Sequence, residues 1–132
     1  MRKMKGRYKF TPLSGYHQDE RLVRMDFNMA KAVGNVRYGR EFVFYQDMLQ
    51  YIYVAYKEIV WAYRRMEDVQ SRLCRAVTGS EINSLMLVTR DGKRLGMLVG
   101  DKENAVQGLD IIKQHNSLVD VGFSREKEER YL

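Results

Sequence analysis

The chain opens without an apolar period. Charged residues and glycines run through positions 1–18, which hold the only proline, Pro12, and predict a flexible basic arm. From Asp19 to Val33 the spacing turns helical. Leu22, Met25, Met29 and Val33 fall on one stripe, opposite Arg21, Arg24, Asn28 and Lys31. Asp19 suits the start of this helix, and Gly34 with Asn35 supplies a stop. Val23, Phe27 and Ala30 widen the apolar face, so the helix is expected to pack on two sides. These three are the candidate oligomer contact.

After Gly34 the period shortens to two. Strands are expected near Val36–Tyr38, Phe42–Gln46, Tyr51–Val54 and Ile59–Glu67, then near Arg72–Thr78, Ile82–Thr89 and Lys93–Val99. In the fourth, Ile59, Trp61 and Tyr63 should face one way and Val60, Ala62 and Arg64 the other. Residues 46–58 also fit a helical face through Met48, Leu49, Ile52, Ala55 and Tyr56; the strand is preferred, with the helix as alternative. Asp91-Gly92 between two alternating apolar runs predicts a hairpin with a type I′ turn, whose two central residues take positive φ. A helix is expected over Lys102–His115, capped by Asp101, with Ala105, Leu109 and Ile112 inward. A short segment at Val119–Phe123 leads to Ser124, which can cap a charged C-terminal turn.

Composition narrows the class. The chain has 132 residues, 45% hydrophobic and 30% charged, enough apolar material for one globular domain over residues 19–132. No uncharged run approaches the roughly twenty apolar residues of a membrane-spanning helix. No apolar stretch follows the charged N-terminus, so a secretory signal is not expected. Cys74 is the single cysteine, which rules out an intramolecular disulfide and suits a reducing cytoplasm.

The net charge is +6, but Arg2, Lys3, Lys5, Arg7 and Lys9 carry five of those charges with no acid among the first ten residues. The remainder, residues 11–132, is close to neutral at +1. The arm therefore predicts a loose contact with anionic membranes, and nucleic acid is not expected as a partner. A second basic set, Arg64, Arg65, Arg72, Arg75, Lys93 and Arg94, can form an edge on adjacent strands; it is the candidate partner or anion contact. Charged edges also guard against strand-to-strand aggregation.

Chemical motifs fail on inspection. Gly34 and Gly39 imitate a phosphate loop but lack its Lys and Ser/Thr and follow a helix instead of a strand. Phe42-Val43-Phe44-Tyr45 resembles the end of an RNA-recognition strand, but of the four positions before it, Tyr38 to Glu41, only Gly39 matches. Nine of the fifteen aromatic residues lie between Tyr38 and Tyr63, a pattern that fills a sheet core and leaves some hydroxyls to line a peptide groove. His17 and His115 fit no metal spacing. No catalytic, cofactor or metal residues are assigned.

Seven strands closed by one amphipathic helix resemble the order of a pleckstrin-homology-like (PH-like) domain over residues 35–115. Ile59-Val60-Trp61-Ala62-Tyr63-Arg64-Arg65 and Leu87-Val88-Thr89-Arg90-Asp91-Gly92-Lys93 look like its bacterial members. Gly122-Phe123-Ser124-Arg125-Glu126-Lys127 resembles uncharacterised proteins of gut-type Gram-positive bacteria. The resemblance implies an α+β, mainly β bent sandwich with an added N-terminal helix, binding lipids, peptides or proteins and in some members oligomerising. The phosphate loop of lipid-binding members would here be only Gly39-Arg40-Glu41, so specific inositol-phosphate binding is not expected. The alternative fold is a profilin- or roadblock-like α/β/α sandwich with residues 46–58 as its middle helix. The expected function is a cytoplasmic, non-catalytic module that binds protein or peptide partners and self-associates. Anionic-lipid binding, or an enzyme whose site forms only on folding, are the alternatives.

Overall fold

The computed structural model describes residues 8–15, 17–68 and 81–132. In chain order the elements are β1 (Lys9–Pro12), α1 (Glu20–Met29), β2 (Lys31–Val33), β3 (Val36–Tyr38), β4 (Phe42–Asp47), β5 (Gln50–Ala55), a 3-10 turn at Tyr56–Glu58 and β6 (Ile59–Asp68). After the gap follow β7 (Glu81–Thr89), β8 (Arg94–Leu98), α2 (Lys102–His115), β9 (Asp120–Val121) and α3 (Arg125–Tyr131). They make an α+β fold, mainly strands, with two mixed sheets ordered β1-β5-β4-β3-β2 and β8-β7-β6-β9. Neither sheet closes into a barrel.

Three apolar clusters explain why so many strand positions are apolar on both faces. Between the sheets, Val36, Tyr38, Val43, Val54, Leu85, Leu87 and Met97 meet Ala105 and Ile112 of α2. On the outer face of the first sheet, Phe42, Phe44, Tyr51 and Tyr53 are covered by Val23 and Phe27 of α1. On the outer face of the second, Trp61, Tyr63 and Val88 are covered by Tyr131 of α3. Strand alternation sorts neighbours between clusters, Val43 inward with Phe42 and Phe44 outward. Eight of the nine aromatic residues from Tyr38 to Tyr63 are buried and Tyr45 is half-buried, so this run mainly fills cores.

Helix α2 spans Lys102–His115 as expected, with the Asp101 carboxylate accepting from the Asn104 N–H at 2.9 Å. It approaches the sheets closely at Gly108, where a Cβ would lie 2.2 Å from the Tyr38 hydroxyl oxygen. Ser124 caps α3 through the Lys127 N–H at 3.1 Å.

Several expectations need correction. The first helix ends at Met29, not Val33, because Lys31–Val33 pairs with β3. Gly34-Asn35 is therefore a hairpin turn, with Gly34 at φ +64° and Val33 opposite Val36. Residues 9–12 of the supposed arm form β1, parallel to β5, since Phe10 has rings to pack on; Pro12 sits at an edge where no N–H is missed. Residues 46–58 are hairpin and 3-10 turn, which removes the middle helix of an α/β/α sandwich. A register shift between Ile59 and Trp61 breaks the alternation of β6, so Ile59 lies in the inter-sheet core and Trp61 on the outer face. The Asp91-Gly92 hairpin forms, but only Gly92 has positive φ, so the turn is not type I′. Instead the Thr89 hydroxyl donates to the Asp91 carboxylate at 2.5 Å and the Gly92 N–H to the Thr89 carbonyl at 3.0 Å. The strand expected at Arg72–Thr78, and Cys74 within it, lie outside the described residues.

Candidate functional site

A pocket of about 200 Å³ opens on the outer face of the first sheet, between α1, β1, β3 and β5. Its walls are Tyr8, Phe10, Phe27 and Tyr51, with Arg24, Arg37 and Asn28 at the edge. Register explains the assembly. Phe10 lies opposite Tyr51 across the β1–β5 pair, and Arg37 opposite Phe44 across β3–β4, so these side chains share one sheet face. Helix α1 lays Phe27 across them.

The rings lock one another edge-to-face: Phe10–Phe27 at 5.2 Å, Phe27–Tyr51 at 4.6 Å and Tyr8–Tyr51 at 5.0 Å between centroids. Such pairs add to simple apolar burial and hold the walls rigid. Two guanidinium groups lie on this aromatic base, Arg24 at 4.9 Å from the Phe10 centroid and Arg37 at 4.7 Å from that of Phe27. Arg24 is engaged by Glu20 at 2.9 Å and by the Tyr8 carbonyl at 3.3 Å. Arg37 makes no hydrogen bond or ion pair among the described residues and also borders a neighbouring hollow lined by Tyr45, Gln46 and Met48. Apolar walls with a stacked, unpaired guanidinium suit a ligand that couples a flat apolar body to a carboxylate or similar anion.

The helix that carries this wall is fixed by a buried acid. Asp26 accepts from the backbone N–H of Arg40 at 2.7 Å, Glu41 at 3.1 Å and Phe42 at 3.0 Å. Three amides thus disperse its charge in a site otherwise closed to water.

Of the residues singled out from sequence, Arg64, Arg65 and Arg94 do come together, in a groove of about 480 Å³ beside α3 that Tyr63, Phe123 and Glu128 also line. There Arg65 pairs with Glu67 at 2.9 Å, and Arg64 donates to the Asn83 side chain at 2.9 Å. Lys93 lies in the β7–β8 turn, outside that lining. Arg72 and Arg75 fall outside the described residues, as do Arg2, Lys3, Lys5 and Arg7. Lys9 is exposed at the start of β1.

The expected oligomer contact is displaced. Val23 is 1% exposed in the α1–sheet cluster, with Phe27 and Ala30 packed beside it. The opposite stripe, Leu22, Met25 and Met29, is about 60% exposed. The inner face is thus the one that contains Asp26, with Val23 and Phe27, and not the stripe the spacing predicts.

The aromatic pocket was missed altogether. One signal pointed to it: taking Gly34-Asn35 as a hairpin turn fixes the parity of Arg37 and sets it on the face of Phe44.

Buried groups elsewhere serve the core. Desolvation raises the phenol pKa values of Tyr38 and Tyr56 well above the ordinary range, and neither lines a pocket described above. Among the described residues no cluster of His, Cys, Asp or Glu is arranged for a metal ion, and no helix is long and apolar enough to cross a membrane.

Fold and site together define a β-rich α+β protein with an arginine-flanked aromatic pocket. Residues 15–131 match the family described as Domain of unknown function (DUF6709), and the chain belongs to that family. No curated protein and no solved structure matches it.

Proposed function

We propose that the protein is a non-catalytic interaction module that takes an acidic aromatic segment of a protein or peptide partner in the Phe10–Phe27–Tyr51 pocket. The observation that carries this is Arg37, a guanidinium stacked at 4.7 Å on Phe27 with no ion-pair partner among the described residues. A carboxylate reaching it gains a charge-assisted, geometrically directed bond, while an aromatic body fills the apolar floor. A PH-like ancestry accords with this reading: β2–β5 form one antiparallel meander, β6–β8 a second, and α2 packs at their junction. The single cysteine favours a reducing, cytoplasmic setting.

The test uses N-acetylphenylalanine as a probe that carries both required features, with its amide as the uncharged control. Chemical-shift mapping should show changes at Phe27, Arg37 and Tyr51 with the acid, and much smaller ones with the amide or with Arg37→Gln. Equal effects from acid and amide, or none at these residues, would remove the reading.

Self-association is supported by a separate observation, the exposed Leu22–Met25–Met29 stripe of α1. A second copy presenting the same stripe about a twofold axis would cover both. Light scattering after size exclusion is expected to show a dimer that Met25→Lys dissociates. A monomer at all workable concentrations would refute it.

A further inference from the structure

The β4–β5 hairpin ends on Met48 and Leu49, which are 84% and 82% exposed. Asp47 pairs with Gln50, so the turn contains only these two residues. Met48 is the one non-glycine at positive φ among the described residues, at +62°. Glycine or asparagine occupies that region with ease, whereas a long apolar side chain is strained there. The turn gives up apolar burial and backbone comfort at the same position. A residue that breaks both local rules without a folding gain marks a functional constraint.

The neighbourhood of the tip supplies a second, independent feature. β1 pairs with β5 from its first residue, Lys9 opposite Gln50. The chain therefore enters the fold directly beside Met48 and Leu49. Arg2, Lys3, Lys5, Arg7 and Lys9 occupy or precede that point, with no acid among the first ten residues. Asp47 is the only acid in the hairpin itself, residues 42–55. An apolar tip beside Lys9, which four further cations precede in the sequence, is complementary to an anionic bilayer in both layers it presents, charged headgroups outside and hydrocarbon beneath.

We propose that this end of the molecule docks on an anionic lipid surface, with Met48 and Leu49 entering the interface and the basic segment held by lipid charge. Either signal alone is weak, since a few basic residues are screened by salt and two side chains bury little surface; combined, they give a usable contact. The charge recognises lipid anions in general and no particular headgroup.

The experiment is co-sedimentation of the full-length protein, at physiological salt, with vesicles of equimolar phosphatidylcholine and phosphatidylserine and with vesicles of phosphatidylcholine alone. Binding to the anionic vesicles only is expected. Met48→Asn with Leu49→Ser should weaken it about tenfold, from the apolar surface withdrawn. The same variant should unfold cooperatively at an equal or higher urea midpoint, because Asn tolerates the turn better than Met. Arg2→Gln, Lys3→Gln, Lys5→Gln and Arg7→Gln together should abolish the preference for anionic vesicles. Binding to neither vesicle, equal binding to both, or undiminished binding of the tip variant would each overturn the proposal. A tip variant that instead changes the oligomeric mass would assign the tip to a protein contact. None of these outcomes bears on the aromatic pocket, which the acetylphenylalanine titration tests separately.

Discussion

Replacing Asp26 tests how the first helix is held, and with it the wall of the aromatic pocket. The carboxylate is 6% exposed and accepts three backbone N–H groups at 2.7–3.1 Å. In Asp26→Ala the Phe42 amide is left buried without a partner, a loss of about 1–3 kcal/mol. The Arg40 and Glu41 amides belong to exposed residues and can turn to water, so each forfeits roughly 0.5–1 kcal/mol. The expected destabilisation is about 2–5 kcal/mol, against a total of roughly 5–15 kcal/mol for a typical domain. Urea unfolding followed by the emission of Trp61, the only tryptophan, measures it. A change below about 1 kcal/mol at unchanged denaturant slope would show that the three bonds do not anchor α1.

A companion substitution makes the test sharper. A Cβ on Gly39 would lie 2.0 Å from one Asp26 carboxylate oxygen, and its three nearest neighbours are all atoms of that carboxylate. Gly39→Ala should therefore destabilise the wild-type protein and cost much less in the Asp26→Ala background. A coupling energy above about 1 kcal/mol is expected, and simple additivity would refute the direct approach of the two residues.

Tyr38→Phe is expected to leave stability unchanged or raise it by about 1 kcal/mol in urea unfolding, since its buried hydroxyl has no hydrogen-bond partner; a clear loss would reveal a bond to that oxygen. The Tyr131 hydroxyl, at 2.5 Å, and then Lys127 and Arg130 hold the Asp120 carboxyl below its ordinary pKa. A depressed folded value means that its support for α3 is present above the unfolded pKa and is lost as pH falls through the folded one. Acid should therefore release Tyr131 from Trp61, seen as a red shift in emission, and Asp120→Asn should show that shift already at neutral pH; identical acid profiles for the two proteins would refute the link. Tyr131→Ala should expose Trp61 to acrylamide quenching, because Tyr131 stacks on it at 5.4 Å.

What the sequence disclosed, and what it hid, follows from the range of the interactions. Helix α2 was legible to the residue because its cap, Asp101, and its inward stripe are local. Strands β3 to β8 were legible because period-two alternation and aromatic content are local too. The turn at Asp91 was placed correctly but given the wrong geometry, because Thr89 and the Gly15 amide, 76 positions away, both bind the Asp91 carboxylate. Strand β1 was hidden because its pairing depends on a strand some forty residues later. Of the described part of the basic edge, Arg64, Arg65 and Arg94 meet because β6 and β8 flank β7, while Lys93 stays in the turn.

The inverted face of α1 is the most instructive difference, because spacing alone leaves two apolar sides, Leu22, Met25 and Met29 on one and Val23, Phe27 and Ala30 on the other. An acid at position 26 argues that its side of the helix meets water, since burying an unpaired charge costs more than exposing two methionines and a leucine. That inference breaks only when the charge finds donors, and the donors here are backbone amides 14–16 residues downstream that carry no side-chain signature. Once they are supplied, Val23 and Phe27 turn inward with Asp26, and Leu22, Met25 and Met29 are carried outward. The carboxylate that defeated the pattern is thus also what presents Phe27 to the pocket and an apolar stripe to solvent. Because α1 carries both proposed binding surfaces, Asp26→Ala should weaken acetylphenylalanine binding and dimerisation together, whereas Arg37→Gln should weaken only the first.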